Sequence, residues 1–485
     1  MAENVMDTYQ EELHNQVEQE RAAVRLINHT GSLLYDHAIE LVIYRNPLVD
    51  ASVSEVLRLH DYAKKIVKKD INIFDSAEIA GILATMELAP AKLDIGKLTA
   101  EWLEEGSNFD SKKAFLESKI GSFTKAENKS NEPRDVVLYG FGRIGRLAAR
   151  ELVRQFGNGQ QLRLRAIVTR KVDDKILEKR ASLWRNDSVH GKFPGSIIED
   201  FENKALIVNG QRIQFLEAPD YSNMDYTAYG INNAIMIDNT GIHRDREALS
   251  GHLKSKGISK VILTAPGKEV PNIVYGLNHK ELDIESENVF SAASCTTNAI
   301  APVLKVVNDA FGIDKGHIET IHAYTNDQNL LDNMHKKERR GRSAAINMVI
   351  TETGAGKAIN KVLPSLANKF TANAVRVPTP NGSLAVLSLT VDKGTSVEDV
   401  NEAMRTAALE GELVNQINFN MDPELVSNDI IGNSCCSVFD SNATLVHGDK
   451  RNIVLYAWYD NEFGYTKQVI RLAKYVAKVR RLHYY

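Results

Sequence analysis

Five residues that read as a short strand, Asp135-Val136-Val137-Leu138-Tyr139, run directly into Gly140-Phe141-Gly142-Arg143-Ile144-Gly145. A strand that meets three glycines at this spacing and then opens a helix admits few folds. Gly140 permits the tight turn, and Gly142 lets backbone come close to a bound pyrophosphate. Gly145 lets the helix lie on the sheet, with its positive N-terminal end toward the phosphates. Leu162–Val168, Ala234–Ile237 and Lys260–Leu263 read as further strands separated by helical segments. Such alternation predicts a parallel sheet covered on both faces. Later β-rich segments, Gly316–Ala323, Ala374–Val377, Ala385–Val391 and Ile453–Tyr459, predict a second, more antiparallel sheet. An amphipathic helix is expected from Tyr465 toward the C-terminus.

The first quarter of the chain follows a different grammar. Apolar residues recur at helical spacing from Asp7 to about Ser118, with turn signals at Asn46-Pro47, Asp75-Ser76, Ala89-Pro90 and Glu105-Gly106-Ser107-Asn108. This predicts an all-α extension, 1–120, of four to six helices in a small bundle. Its histidines, His14, His29, His37 and His60, lack metal-ligand spacing. Residues 121–133 are polar and read as an exposed linker. A length of 485 residues is enough for about three domains.

Bulk properties narrow the function classes. A net charge of −4 argues against a general nucleic-acid binder. Three cysteines do not make a disulfide framework, and adjacent Cys435 and Cys436 read as buried in a strand, so a reducing compartment is expected. Met1–Arg21 is acidic and polar, without a signal core, and no apolar run approaches the ~18 residues that span a bilayer. A cytoplasmic protein with no membrane role is expected.

Two further strings carry chemistry: Ser294-Cys295-Thr296-Thr297-Asn298 and, 27 positions after the cysteine, His322-Ala323-Tyr324-Thr325-Asn326-Asp327-Gln328. A thiol at a helix start beside an imidazolium has its pKa lowered from about 8.5 to roughly 3.5–7.5. A thiolate at Cys295 with His322 as base suits covalent chemistry on a carbonyl carbon.

With Arg376-Val377-Pro378-Thr379-Pro380-Asn381 and Trp458-Tyr459-Asp460-Asn461-Glu462-Phe463-Gly464-Tyr465, these strings resemble the glyceraldehyde-3-phosphate dehydrogenase family from about Arg134 to the end. The resemblance implies a Rossmann-type NAD(P)-binding domain over 134–294, completed by a C-terminal helix in 465–485, and an α+β catalytic domain over 295–464. It implies Cys295 as nucleophile and His322 as base, acting on glyceraldehyde 3-phosphate and inorganic phosphate through a thioester. Cofactor contacts are expected from Gly140, Gly142, Arg143, Ile144, Gly145, Thr169, Arg170, Thr264 and Asn461. Thr325 and Arg376 are expected to hold the substrate phosphate. Ser294, Thr296, Thr353 and Gly354 are expected to hold the attacking phosphate, with Arg340 contributing. A homotetramer is also implied, while the extension is left as a regulatory or partner-binding element.

Four departures from the family pattern stand out. Thr169, followed by Arg170 and Lys171, stands where NAD-specific members carry an Asp on the adenosine ribose. Asn333-Met334 replaces a Leu-Pro pair. Both favour acceptance of NADP, because losing the carboxylate removes repulsion against a 2′-phosphate. Ala299 replaces a second cysteine, so no intrahelical disulfide can form with Cys295. Gly382 replaces a valine, without a reason visible in the sequence. Three other readings remain: erythrose-4-phosphate dehydrogenase, aspartate-semialdehyde dehydrogenase (disfavoured by the intact histidine string), and a binding or scaffold protein built on a dehydrogenase core. Thr169→Asp is expected to move the ratio of kcat/KM for NADP over NAD toward NAD; an unchanged ratio would remove the case for NADP.

Overall fold

The computed structural model of the chain describes residues 2–124, 132–154 and 160–485, which divide into two compact units. The larger takes in Arg134–Arg154 and Leu162–Lys478. Its first eight-stranded sheet runs, in spatial order, Val289–Ser291, Ile258–Leu263, Ala234–Asp238, Arg134–Tyr139, Leu162–Thr169, Gln211–Glu217, Ala205–Val208 and Ile197–Asp200. The first six strands are parallel and the last two antiparallel. Ala234–Asp238 is buried along its whole length, as a central parallel strand covered on both faces must be. The strand order reverses at Arg134–Tyr139, and a crevice at such a switch point is where a nucleotide binds. Gly140 turns there with φ +93°, and a Cβ on Gly145 would lie 2.5 Å from the Gly140 carbonyl oxygen.

A second eight-stranded sheet is mixed, with a path of Val349–Thr351, Phe370–Val377, Ile313–Ala323, Ser383–Val391, Asn452–Tyr459, Ser437–Asp440 and Ile417–Asn420; Leu445–Val446 joins its Asn452–Tyr459 strand from the side. The helix Cys295–Phe311 packs against it. Both sheets match the α/β plus α+β class expected. Cys435 and Cys436 are buried and unbridged, but they precede the strand Ser437–Asp440 rather than lying in it.

The smaller unit corrects the all-helical expectation. Among the described residues five α-helices are present: Ala2–His37, Val53–Tyr62, Ile73–Leu83, Ile95–Glu105 and Lys112–Ile120. The last four start at polar caps (Ser52, Asn72, Asp94 and Ser111), each accepting a backbone N–H of the first turn. They share the unit with a sheet ordered Asn46–Pro47, Glu40–Ile43, Ala91–Asp94 and Leu482–Tyr484. Runs of four apolar-rich residues carry no period that separates strand from helix, and the last strand comes from the far end of the chain. The C-terminal helix stops at Val476, short of the expected end, and Val479–Tyr485 joins the smaller unit. The linker expected over 121–133 begins later than expected. Gly121–Phe123 is a 3₁₀ turn and Thr124 bridges to Leu88, while 125–131 lies outside the described residues.

Gly382 now has a physical reason. Its φ is +82°, and a Cβ there would meet the Ser427 carbonyl oxygen at 2.3 Å. Its neighbours are fixed in turn: Asn381 Nδ2 donates to Asp460 (2.8 Å) and Ser383 Oγ donates to Asn461 Oδ1 (2.8 Å). Gly382→Val, the family residue, is expected to lower unfolding free energy by at least ~2 kcal/mol through strain and overpacking. A denaturant midpoint equal to that of the parent chain would contradict this.

Candidate functional site

Cys295 is the first residue of its helix, and Ser294 caps that helix by accepting the Thr297 N–H on its Oγ (3.0 Å). His322 lies one residue before the end of the strand Ile313–Ala323, paired in register with Arg376 of the neighbouring parallel strand. Paired residues project to the same face of a sheet, which brings together two side chains 54 positions apart. Cys295 Sγ lies 3.6 Å from His322 Nε2. On the other edge of the ring, Nδ1 is 2.7 Å from the Ala323 carbonyl oxygen. Nδ1 meets partners of opposite demand: that carbonyl only accepts, whereas the Arg376 guanidinium only donates. Arg376 Nη1 donates to the same carbonyl (2.9 Å) and lies 2.8 Å from Nδ1.

The electrostatics differ from the thiolate–imidazolium pair expected. Burial first, then the Arg376 charge, push the His322 imidazole down to about 3, so it is neutral at physiological pH. Burial pushes the Cys295 thiol up, against the opposing pull of Arg376 and the Thr296 hydrogen bonds. The resting pair is a thiol beside a neutral base, because two desolvated groups next to a guanidinium do not retain a second positive charge.

Arg376 is held down by burial and by the like charge of Arg340. Arg340 donates from Nε to Thr351 Oγ1 (3.1 Å) and is ion-paired with Asp327. Arg376 Nε is buried without a hydrogen-bond partner. Two neighbouring guanidiniums, one with an orphaned donor, fit an anion between them. Thr325 follows His322 by three residues and contributes its carbonyl to a turn with Gln328. Thr296 Oγ1 lies 3.2 Å from Tyr459 OH, which is also 2.7 Å from Thr320 Oγ1, and the Tyr459 ring meets His322 edge-on. Thr353 Oγ1 accepts the Ala355 N–H, and Gly354 precedes the helix Ala355–Val362, which packs on the Cys295 helix.

At the glycine turn, the helix Arg143–Val153 starts at Gly142 with no side-chain cap, and nothing lies within 4 Å of where a Gly142 Cβ would be. Uncapped N–H groups facing open space fit a pyrophosphate. Ile144 lies in the first turn of that helix. Arg143 is committed elsewhere: its guanidinium bonds Glu462 and Asp187, so only its backbone faces the turn. Thr169 Oγ1 donates to the Lys171 carbonyl (3.1 Å), Arg170 is exposed, and Lys171 pairs with Asp173 (2.9 Å). Thr264 donates through N and Oγ1 to the Asp238 carbonyl (3.0 and 3.2 Å). Asn461, buried, accepts from Ser383 and keeps its NH₂ for a carboxamide.

Sequence reasoning missed two groups. Tyr459 sits in a motif already noticed, but its contacts depend on strand register. Asp238 Oδ2 accepts from His243 Nδ1 (2.8 Å) and His252 Nε2 (3.1 Å), and their spacing carries no signal. This set has the ligand types of a metal site. Yet the carboxylate is already satisfied, with Thr240 donating twice to its other oxygen.

The family models for the glyceraldehyde 3-phosphate dehydrogenase NAD-binding domain and C-terminal domain match residues 134–246 and 294–461. A glyceraldehyde-3-phosphate dehydrogenase-like protein of Pseudomonas aeruginosa (strain UCBPP-PA14) is 47% identical over 453 residues, 93% of this chain and 97% of its own. The glyceraldehyde-3-phosphate dehydrogenases of Clostridium pasteurianum and Priestia megaterium are each 40% identical. They cover 71% and 70% of this chain, and 99% and 97% of their own.

The depressed His322 value sets a pH dependence. As pH falls below about 6.5 the unfolded imidazole takes a proton that the folded one refuses. Its contribution is therefore intact above that pH and is lost on descending toward 3. His322→Asn is expected to flatten the acid limb of unfolding free energy by roughly 1 kcal/mol per pH unit in that window. Parallel acid limbs in denaturant titrations would refute the neutral imidazole.

Proposed function

The chain belongs to the glyceraldehyde-3-phosphate dehydrogenase family, and on that premise we propose that it oxidises glyceraldehyde 3-phosphate, with inorganic phosphate, to the acyl phosphate 1,3-bisphosphoglycerate. The observation that carries the reading is a sulfur 3.6 Å from Nε2 of the neutral His322 imidazole, with Arg376 on the far edge of the same ring. Cys295 Sγ attacks the aldehyde carbon, and the thiol proton passes to the new oxyanion through His322 Nε2. The N–H groups of the helix start stabilise that oxyanion. His322 then takes the hydroxyl proton of the hemithioacetal as the carbon–hydrogen bond gives up its electron pair. A bound nicotinamide supplies the hydride acceptor. Inorganic phosphate attacks the Cys295 thioester, the carbon–sulfur bond breaks, and the thiolate recovers its proton from His322.

Arg376 and Thr325, with Arg340 alongside, are assigned to the substrate phosphate. Ser294, Thr296, Thr353 and Gly354 are assigned to the attacking one. The uncapped turn at Gly140–Gly145 with Asn461 is assigned to the dinucleotide, and Thr169 with exposed Arg170 favours one bearing a 2′-phosphate. A cytoplasmic homotetramer completes the proposal.

Loss of a general base lowers rates by typically 10²–10⁴-fold, the range expected for His322→Asn in kcat. Mass spectrometry of enzyme given glyceraldehyde 3-phosphate and NADP without phosphate is expected to find an acyl group on Cys295, absent in Cys295→Ser. An acyl group only on Cys435 or Cys436, or full activity in Cys295→Ser, would overturn the mechanism.

A further inference from the structure

Charges do not balance behind the glycine turn. Four guanidiniums gather there, Arg143, Arg146, Arg150 and Arg180, and among the described residues they share two carboxylates, Asp187 and Glu462. Arg143 bonds both carboxylates. Arg146 reaches Asp187 at 3.5 Å, and its Nε is buried without a partner. Glu462 also meets His190 Nε2 (3.0 Å). Arg150 donates to carbonyls, those of Trp184 and Gly191. Arg180 has least: one bond from Nη1 to the Phe141 carbonyl at 3.4 Å, beyond the usual span of about 2.7–3.2 Å. Burial, and then the like charge of Arg146, hold its guanidinium below the usual arginine range, with no carboxylate to oppose them. A half-buried cation without an anion of its own carries a desolvation cost that a bound anion offsets.

The place of Arg180 says which anion. Gly140 N donates to the Val168 carbonyl (2.9 Å), so the glycine turn and the strand end at Thr169 stand side by side. The chain leaves Thr169, turns, and enters the helix Asp174–Arg185. That helix lies on the glycine turn. Trp184 meets the Phe141 ring edge-on at 5.3 Å, and Arg180, one turn earlier, reaches the Phe141 carbonyl. A pyrophosphate takes the N–H groups of the other helix, the one that starts at Gly142. The ribose of the same dinucleotide then lies toward the strand end, where a nearby arginine accommodates a 2′-phosphate. Acids of this segment already have partners: Asp173 caps the helix and pairs with Lys171 (2.9 Å), Asp174 pairs with Lys204 (2.7 Å), and Glu217 accepts the Val172 N–H.

Resting on the assignment of the glycine turn to a dinucleotide, we propose that Arg180 is its specificity-determining residue and takes the 2′-phosphate of NADP, with the Arg146 charge behind it. A planar guanidinium can take two phosphate oxygens at once, and a phosphate beside Arg180 and Arg146 relieves the repulsion between them. NAD puts a neutral hydroxyl in that place and leaves the imbalance uncorrected. Arg170, exposed and therefore screened, is the weaker contact.

Calorimetric titration of the full-length chain with NADP and with NAD tests this without turnover. Arg180→Gln is expected to weaken NADP about tenfold or more, as loss of a charge-assisted contact does, and to shift NAD by no more than about twofold. Retained NAD affinity also shows that the variant folds. Arg180→Lys, which keeps a point charge, is expected to fall between the parent and Arg180→Gln, and Arg170→Gln to lose less than Arg180→Gln. Equal weakening of both nucleotides would put Arg180 at the pyrophosphate or the turn and overturn the inference. NADP affinity equal to the parent's, or a larger loss in Arg170→Gln, would overturn it too. So would a parent chain that binds NAD but not NADP. A parent that binds neither would defeat the dinucleotide assignment itself, and the inference with it.

Discussion

The imidazole of His322 is clamped between a half-buried thiol on one edge and a half-buried guanidinium on the other, and the clamp only works if the ring is neutral. A second ring proton would put another full charge within hydrogen-bond reach of Arg376 in a desolvated space. The Ala323 carbonyl lies 2.7 Å from Nδ1 and accepts from Arg376. On the proposed mechanism the reaction starts from a neutral pair, and charge separates when a carbonyl carbon is present to receive the sulfur. Cysteine sites that rest as thiolates are open to oxidation and stray electrophiles; a thiol whose pKa is raised by burial is guarded against both until substrate arrives.

What positions the clamp is sheet register. His322 and Arg376 are paired across parallel strands, and Thr320, two residues before His322, shares their face and bonds Tyr459. A one-residue slip of Phe370–Val377 would turn Arg376 to the other face and undo the site. The residues around Asn461 depend on a different device. Gly382, at positive φ against Ser427, lets Ser383 and Asn381 reach Asn461 and Asp460 at once. These two local geometries, one a ladder and one a turn, place the base and the buried amide from separate stretches of chain.

Much of this was legible in the residues, and the parts that were not share a physical cause. The strand–glycine–helix junction at 135–145 and the Cys295 and His322 strings are local patterns, and local patterns survive in one dimension. Contacts set by pairing between distant strands do not: Arg376 against His322, Tyr459 between two threonines, and Asp238 with two histidines were invisible as spacings. Gly382 announced only a departure, because the carbonyl that forbids a side chain comes from Ser427. A helix start and a nearby imidazolium predict a lowered thiol pKa, and the burial that reverses it is a property of the assembled site. In the extension, Glu40–Ile43 and Ala91–Asp94 were read as helix because four residues cannot reveal a period of two.

The extension and the dehydrogenase are less separable than the order of the chain suggests. Leu482–Tyr484, which follows the last helix of the larger unit, is a parallel strand on Ala91–Asp94. Removing the chain up to residue 131 would thus leave that strand with its N–H and C=O groups unpaired, an edge without a sheet. The first and last segments must both be synthesised before this sheet is complete, so the smaller unit closes only after the dehydrogenase has been made. The Pseudomonas relative covers 97% of its own length over 93% of this chain, which takes in most of the extension, whereas the shorter dehydrogenases align over about 70%.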